Sequence, residues 1–293
     1  REASPFGEVE VIDVVDSSTR FLRCGSSILG ARYLDARFDG QSVFSIFSVI
    51  QGAVEFLVAP TPGRPRRVLV LGLGAGTVPS ALRAAGLSVD VVELSKPVVR
   101  AAAKFFGYNA SRARHGRTLL RDAFEYVQNR TPPVRYDVVV SDLWMGFNPA
   151  APDGFLERIR DAWLREDGRG VLLFNMVAAH RPGPAGDRTH PHVLVAAMAR
   201  LLAAAFGTVR AFPDLGPRAE QPKPSGDAVG NVLLVASSAA GAEPAWEVPS
   251  TGYYESPREE SHDWYIKHFA GWELFRMDAL QAAHVEPPDE ASL

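Results

Sequence analysis

A chain of 293 residues, 46% of them hydrophobic and 22% charged, has the balance of a globular protein with one large domain and appendages, or two small ones. Its net charge of -3 supplies no global attraction to nucleic acid or anionic lipid, and no apolar run approaches the roughly 18 residues a bilayer span needs, so neither partner is expected. The single cysteine, Cys24, excludes an intrachain disulfide and a cysteine-cluster metal site, and suits a reducing, cytoplasmic setting.

The chain begins at Arg1 without a methionine, which reads as a piece of something longer. Val9 to Val15 and Thr19 to Arg23 are rich in β-formers and flank the polar turn Asp16-Ser17-Ser18, which predicts a hairpin. From Ser42 to Val58, Val43, Phe47, Ile50, Val54 and Leu57 recur at helical spacing; Thr61-Pro62-Gly63-Arg64-Pro65 then marks a boundary. Beyond it, short apolar strands alternate with helices. Strands are expected at 67–71, 89–93, near 118–120, at 136–140 and at 170–174. Helices are expected at 78–85, at 97–106 with Pro97 in a tolerated early position, through Phe124 and Val127, near 155–164, and from about 191 to 205. Two late strands, near 208–212 and 231–236, lie either side of a Pro-rich stretch and suggest an antiparallel addition at one edge. The alternation implies a mostly parallel α/β sheet wound on both sides. Three parts follow: 1–60, the hairpin region and linking helix; 64–240, the sheet domain; and 241–293, an extension carrying Trp246, Tyr253, Trp264 and Trp272. That aromatic surface is expected to pack on the domain or on a partner, and the last residues, from about Glu286, to be disordered.

Chemistry collects at successive strand ends. Gly72-Leu73-Gly74-Ala75-Gly76 follows the first sheet strand, and glycines serve where a backbone turns sharply and a ligand comes close. Alone, the pattern is weak, since dinucleotides, nucleosides and plain structural turns all use it. Glu93, followed by Leu94, ends the second strand, where a carboxylate can accept two hydrogen bonds from a ribose diol. Asp122-Ala123 follows the third strand and can face an adenine amino group; Asp142 follows the fourth.

This spacing resembles class I S-adenosylmethionine (SAM)-dependent methyltransferases, and more narrowly their spermidine-synthase-like branch, over roughly Ser4 to Ser237. The opening Ser4-Pro5-Phe6-Gly7-Glu8-Val9 is similar to the branch's start, before its N-terminal hairpins. The resemblance implies a Rossmann-like doubly wound sheet of seven strands, mostly parallel with an antiparallel edge strand, beside a small N-terminal β-hairpin region. It implies SAM or decarboxylated SAM as cofactor, held by Gly72, Leu73, Gly74, Gly76, Glu93, Leu94, Asp122, Ala123 and Asp142. An NAD enzyme fits less well, because G-x-G-x-x-G lacks its last glycine here.

The branch's aminopropyl-transfer signature is incomplete. Its loop after the fourth strand carries an Asp, two small residues and a second Asp; here Asp142 matches the first, but Leu143, Trp144 and Met145 follow. Its Asp-Gly with a later Gln corresponds to Cys24-Gly25-Ser26-Ser27-Ile28, and its Tyr-His-Glu to Phe44-Ser45-Ile46, without those polar partners. Unpaired ammonium groups in such a pocket cost several kcal/mol, which favours methyl transfer to an amine on a protein or small molecule. Asp142 is the candidate catalytic residue, orienting the amine or taking its proton, with a purely backbone-bonding role as the rival. Trp144 and Phe147 either wall a cationic substrate or pack in the core, and Asn175, placed at the end of the fifth strand, either binds substrate or caps the loop. His180, His190 and His192 have no ligand spacing, so no metal is expected. An aminopropyltransferase with an altered acceptor, and a non-catalytic partner keeping the pocket, stand as alternatives; a homodimer through the N-terminal hairpins or the tail is a further option.

Overall fold

The computed structural model describes residues 1–4, 6–38, 40–57, 66–110, 115–143, 152–179, 191–213 and 229–238. The Pro-Gly boundary at 61–65, Trp144, Met145, Phe147, His180, His190, the Pro-rich stretch at 214–228 and the extension from 241 lie outside them.

The N-terminal hairpin is the middle of a four-stranded antiparallel sheet: β1 (Glu2–Ser4), β2 (Gly7–Val14), β3 (Thr19–Cys24) and β4 (Ser27–Tyr33), in that spatial order. In β4 the apolar alternation is broken by Gly30, and a Cβ there would lie 2.6 Å from that of Ala75. The residue that hides the strand from a periodicity reading is thus set by a contact with the sheet domain. Val9, Leu22 and Cys24 on the inner face pack on Ala75, Val98, Ala101 and Phe106.

α1 (Ser45–Leu57) leads into the main sheet. Val68-Leu69-Val70-Leu71 is apolar without a break because it buries both faces: Val68 and Val70 face one helical layer, Leu69 and Leu71 the other. These residues form β5 (Arg67–Leu71), followed by α2 (Thr77–Ala84), β6 (Ser88–Glu93), α3 (Lys96–Phe105), β7 (Thr118–Leu120), α4 (Ala123–Asn129), β8 (Val138–Ser141), α5 (Phe155–Arg158), β9 (Val171–Ala179), α6 (Pro191–Phe206), β10 (Thr208–Pro213) and β11 (Val229–Ser237). The seven strands are ordered β10-β11-β9-β8-β5-β6-β7. Those from β9 to β7 are mutually parallel, and β11 pairs antiparallel with both β9 and β10, the expected addition at that edge. α1 and α2 cover one face; α4, α5 and α6 cover the other. No helix among the described residues is long and apolar enough to cross a membrane.

Two elements differ from expectation. The helix near 155–164 is α-helical only to Arg158 and continues as a π-turn over Ile159–Trp163, where Leu164 N–H donates to Ile159 O. β9 does not stop at Phe174, because β11 pairs with it along Val171 to Ala179.

Inside the sheet, buried Asp90 accepts hydrogen bonds from the Tyr136 hydroxyl at 2.7 Å and Arg117 N–H at 2.7 Å. Burial, then the charge of Asp90, pushes the Tyr136 phenol far above its ordinary range. Tyr136→Phe leaves a buried carboxylate short of a donor and is expected to lower unfolding free energy by about 1–3 kcal/mol, read from the urea midpoint.

Candidate functional site

Strand order reverses between β5, which continues outward through β6, and β8. The carboxyl ends of strands at such a reversal leave a crevice. The turn after β5 enters it with Gly72, Gly74 and Gly76 at φ +92°, +53° and +80°, a region that disfavours side chains. From the sequence, these glycines are expected to admit a ligand. In the structure it is protein that occupies the side where each Cβ would stand: Asp142 O at 2.4 Å from the position on Gly72, Leu29 O at 2.3 Å from that on Gly74, and the Tyr108 ring at 2.9 Å from that on Gly76.

Glu93 closes the turn from β6. Its Oε2 accepts from Leu73 N–H at 2.9 Å and its Oε1 from Ser95 N–H at 2.7 Å. Burial pushes the carboxyl up, while the backbone N–H groups of Ser95, Leu73 and Leu94 draw it back. Each oxygen keeps a further lone pair, so a diol still finds two acceptors. Ser95, which is no carboxylate, serves the fold instead. Its hydroxyl caps α3, accepting from Val98 N–H at 3.4 Å.

Leu94 is 42% exposed, as is Leu120, which pairs with Glu93 across β6 and β7. Two large apolar side chains held in water at one sheet edge suit the face of a planar base. Leu120 is absent from the sequence-based set; its signal was its place at the end of a short strand. Asp122 is the N-cap of α4, its Oδ1 accepting from Glu125 N–H at 3.0 Å, and Ala123 is buried as that helix's first residue.

Asp142 follows β8, its N–H donating to Leu71 O at 2.9 Å and its Oδ1 accepting from Asn175 Nδ2 at 2.8 Å. Burial pushes its carboxyl up, opposed by the Asn175 bond. Because β9 runs on past β8, Asn175 sits within a strand, where Ser141 opposite Phe174 ends the parallel pairing. It is therefore no loop cap. Asp142 and Gly72 line a small cavity of about 10 Å³, room for about one water, with Phe47 and Ile50 of α1 and Thr77 and Val78 of α2. The structure thus brings Gly72 to Gly76, Glu93, Leu94, Asp122, Ala123, Asp142 and Asn175 to one edge of the sheet. Trp144 and Phe147 lie outside the described residues.

No family model matches the chain. The chain is 29% identical over 160 residues to the N-terminal histidine N-methyltransferase of Emericella nidulans, a stretch covering 50% of this chain and 28% of that protein. The chain thus spans well under half the length of this curated relative. Among solved structures, a probable spermidine synthase from Corynebacterium glutamicum matches with a TM-score of 0.64 at 17% identity, over 97% of this chain and 94% of that one. The spermidine synthase of Thermotoga maritima matches with a TM-score of 0.53 at 16% identity, over 81% and 72% of the two chains. The fold, then, is the one these structures share: a Rossmann-like, doubly wound and mostly parallel sheet. In fold the chain is similar to the Corynebacterium protein over nearly its whole length, a stretch that includes the small antiparallel sheet preceding the main one.

Proposed function

We propose that the chain is a SAM-dependent N-methyltransferase domain acting on an amine-type nitrogen of a protein or small molecule, with an N-terminal histidine, named in its curated relative, as the first substrate to try. The observation that carries this reading is Asp142 beside Gly72, the carboxylate that lies, among the described residues, at the crevice between β5 and β8, with Asn175 as its side-chain partner. A polyamine brings several ammonium groups and needs several acids; a single nitrogen on an apolar body needs one. Two features support the cofactor: the left-handed glycine turn beneath a Glu93 with acceptor capacity to spare, and the exposed Leu94 at the same edge. When bound, SAM supplies an electrophilic methyl group on a sulfonium. Glu93 holds the ribose hydroxyls, Leu94 and Ala123 flank the adenine, Asp122 faces its amino group, and Asp142 orients the attacking nitrogen and takes its proton. The single cysteine supports a cytoplasmic setting, and Ile12, Val14 and Ile28, 37%, 38% and 47% exposed on the outer face of the N-terminal sheet, offer a homodimer surface.

Calorimetric titration with SAM and S-adenosylhomocysteine tests the cofactor, and product mass after incubation with a peptide bearing an N-terminal histidine tests the reaction. Absence of binding to either nucleoside at millimolar concentration overturns the reading. Aminopropyl transfer, the alternative suggested by the fold neighbours, is decided by the mass added when decarboxylated SAM and a polyamine panel are supplied. Glu93→Gln retains one carbonyl where two oxygens had accepted from Leu73 and Ser95, and is expected to weaken SAM binding by about 10- to 100-fold in the same titration.

A further inference from the structure

Among the described residues, the Asp142 side chain is bonded by Asn175, and no charged group acts on it. The Asp142 N–H donates to Leu71 O of β5, and the cavity the residue lines is shared, among the described residues, with Gly72 after β5, Phe47 and Ile50 from α1, and Thr77 and Val78 from α2, none of them titratable. Glu93, another carboxylate of this edge, has an N–H on each oxygen, from Leu73 and from Ser95. A carboxylate in apolar surroundings needs a donor to stay charged, and here a neutral amide supplies it. The amide has one usable orientation. Asn175 Oδ1 is buried and has no partner among the described residues, and turning the amide over would set oxygen against oxygen.

We propose that Asn175 is a positioning residue: its amide N–H holds the Asp142 carboxylate in one rotamer and in its charged form, leaving the second oxygen to meet the acceptor nitrogen. This rests on the methyltransferase reading. Asn175 acts through Asp142, in place of the direct substrate contact expected from the sequence.

A donor on the charged form keeps a carboxylate ionised to lower pH, so removing it delays ionisation to higher pH. The test compares wild type, Asn175→Leu and Asn175→Asp in two readouts. One is the pH profile of kcat/KM for methylation of a peptide with an N-terminal histidine. The other is the ¹³C carboxyl titration of Asp142 in the ligand-free protein, assigned by its loss in Asp142→Asn. Asn175→Leu is expected to lose about tenfold or more in kcat/KM on the acid side and to recover on the alkaline side, with SAM affinity unchanged. Asn175→Asp, which keeps the size of the side chain and so its packing, is expected to move the acid limb further the same way, because two adjoining carboxyls share a proton. A loss equal at every pH, or an Asp142 titration unmoved in Asn175→Asp, overturns the proposal. A wild type that binds no SAM overturns the methyltransferase reading instead, and the carboxyl titration still judges the pair.

Discussion

Gly72→Ala is expected to abolish measurable SAM binding and to lower unfolding free energy by about 2–4 kcal/mol. The left-handed backbone alone makes a side chain cost about 1–2 kcal/mol at φ +92°. The added Cβ also meets Asp142 O at 2.4 Å, and backbone on both sides of that contact belongs to adjoining strand ends, so one must move. Overpacking of that kind adds about 1–3 kcal/mol, and the movement displaces Asp142 itself. Gly86 supplies the control. Its φ is +85°, yet nothing lies within 4 Å of the position its Cβ would take. Gly86→Ala is expected to cost about 1–2 kcal/mol and to leave SAM affinity unchanged. Urea midpoints and calorimetry on the two variants separate backbone strain from collision; equal losses of affinity would sink the assignment of Gly72 to the crevice.

Asp142→Asn is expected to lower kcat by about 10²- to 10⁴-fold while SAM still binds, the range for loss of a positioned base. The amide matches the carboxylate in shape, and Asn175 Oδ1, which has no partner among the described residues, can accept its new N–H after a flip. The sign of the stability change follows from burial. The Asp142 carboxyl is raised in the folded state, so the native protein holds that proton more tightly than the unfolded chain. The ionised form therefore weighs against folding above the folded-state value, and this penalty fades as pH falls through it. Asp142→Asn removes the buried charge and is expected to melt no lower than wild type at neutral pH. For the wild-type enzyme, activity should fall with acidification at a pH above the usual carboxylate range. Retained turnover in Asp142→Asn would remove the residue from the chemistry.

Much of this was readable from periodicity, unevenly so. β5, β8 and the start of β9 stood out because burial on both faces makes them continuous apolar runs. The candidate site stood out for a related reason: glycines and acids recur at the ends of successive strands. Where long-range contacts decide, local pattern failed. β4 is interrupted by Gly30 because Ala75 lies against it, and β9 is longer than its apolar core because β11 extends it. The three glycines of the turn stood out as places for a ligand to approach, and the structure sets protein against each missing Cβ. Ser95, two residues after Glu93, is a helix cap, and Asp122 is a cap as well as a candidate ligand contact. The Asp142–Asn175 bond joins residues 33 apart in sequence, and no spacing rule announces it.

The approach of Leu29 O to Gly74, and of Gly30 to Ala75, has a consequence for how the molecule divides. A boundary at 60–64 separates the sequence cleanly, but the described residues before and after it meet at a seam in which the small sheet forms part of the wall of the glycine turn. Arg100 of α3 reaches back to Glu2 across the same seam, and Phe106 and Val98 are covered by Leu22 and Val9. The glycine turn of the larger sheet is therefore shaped partly by its neighbour, and a transplant of the large sheet into another protein carries that turn intact only if the first four strands travel with it.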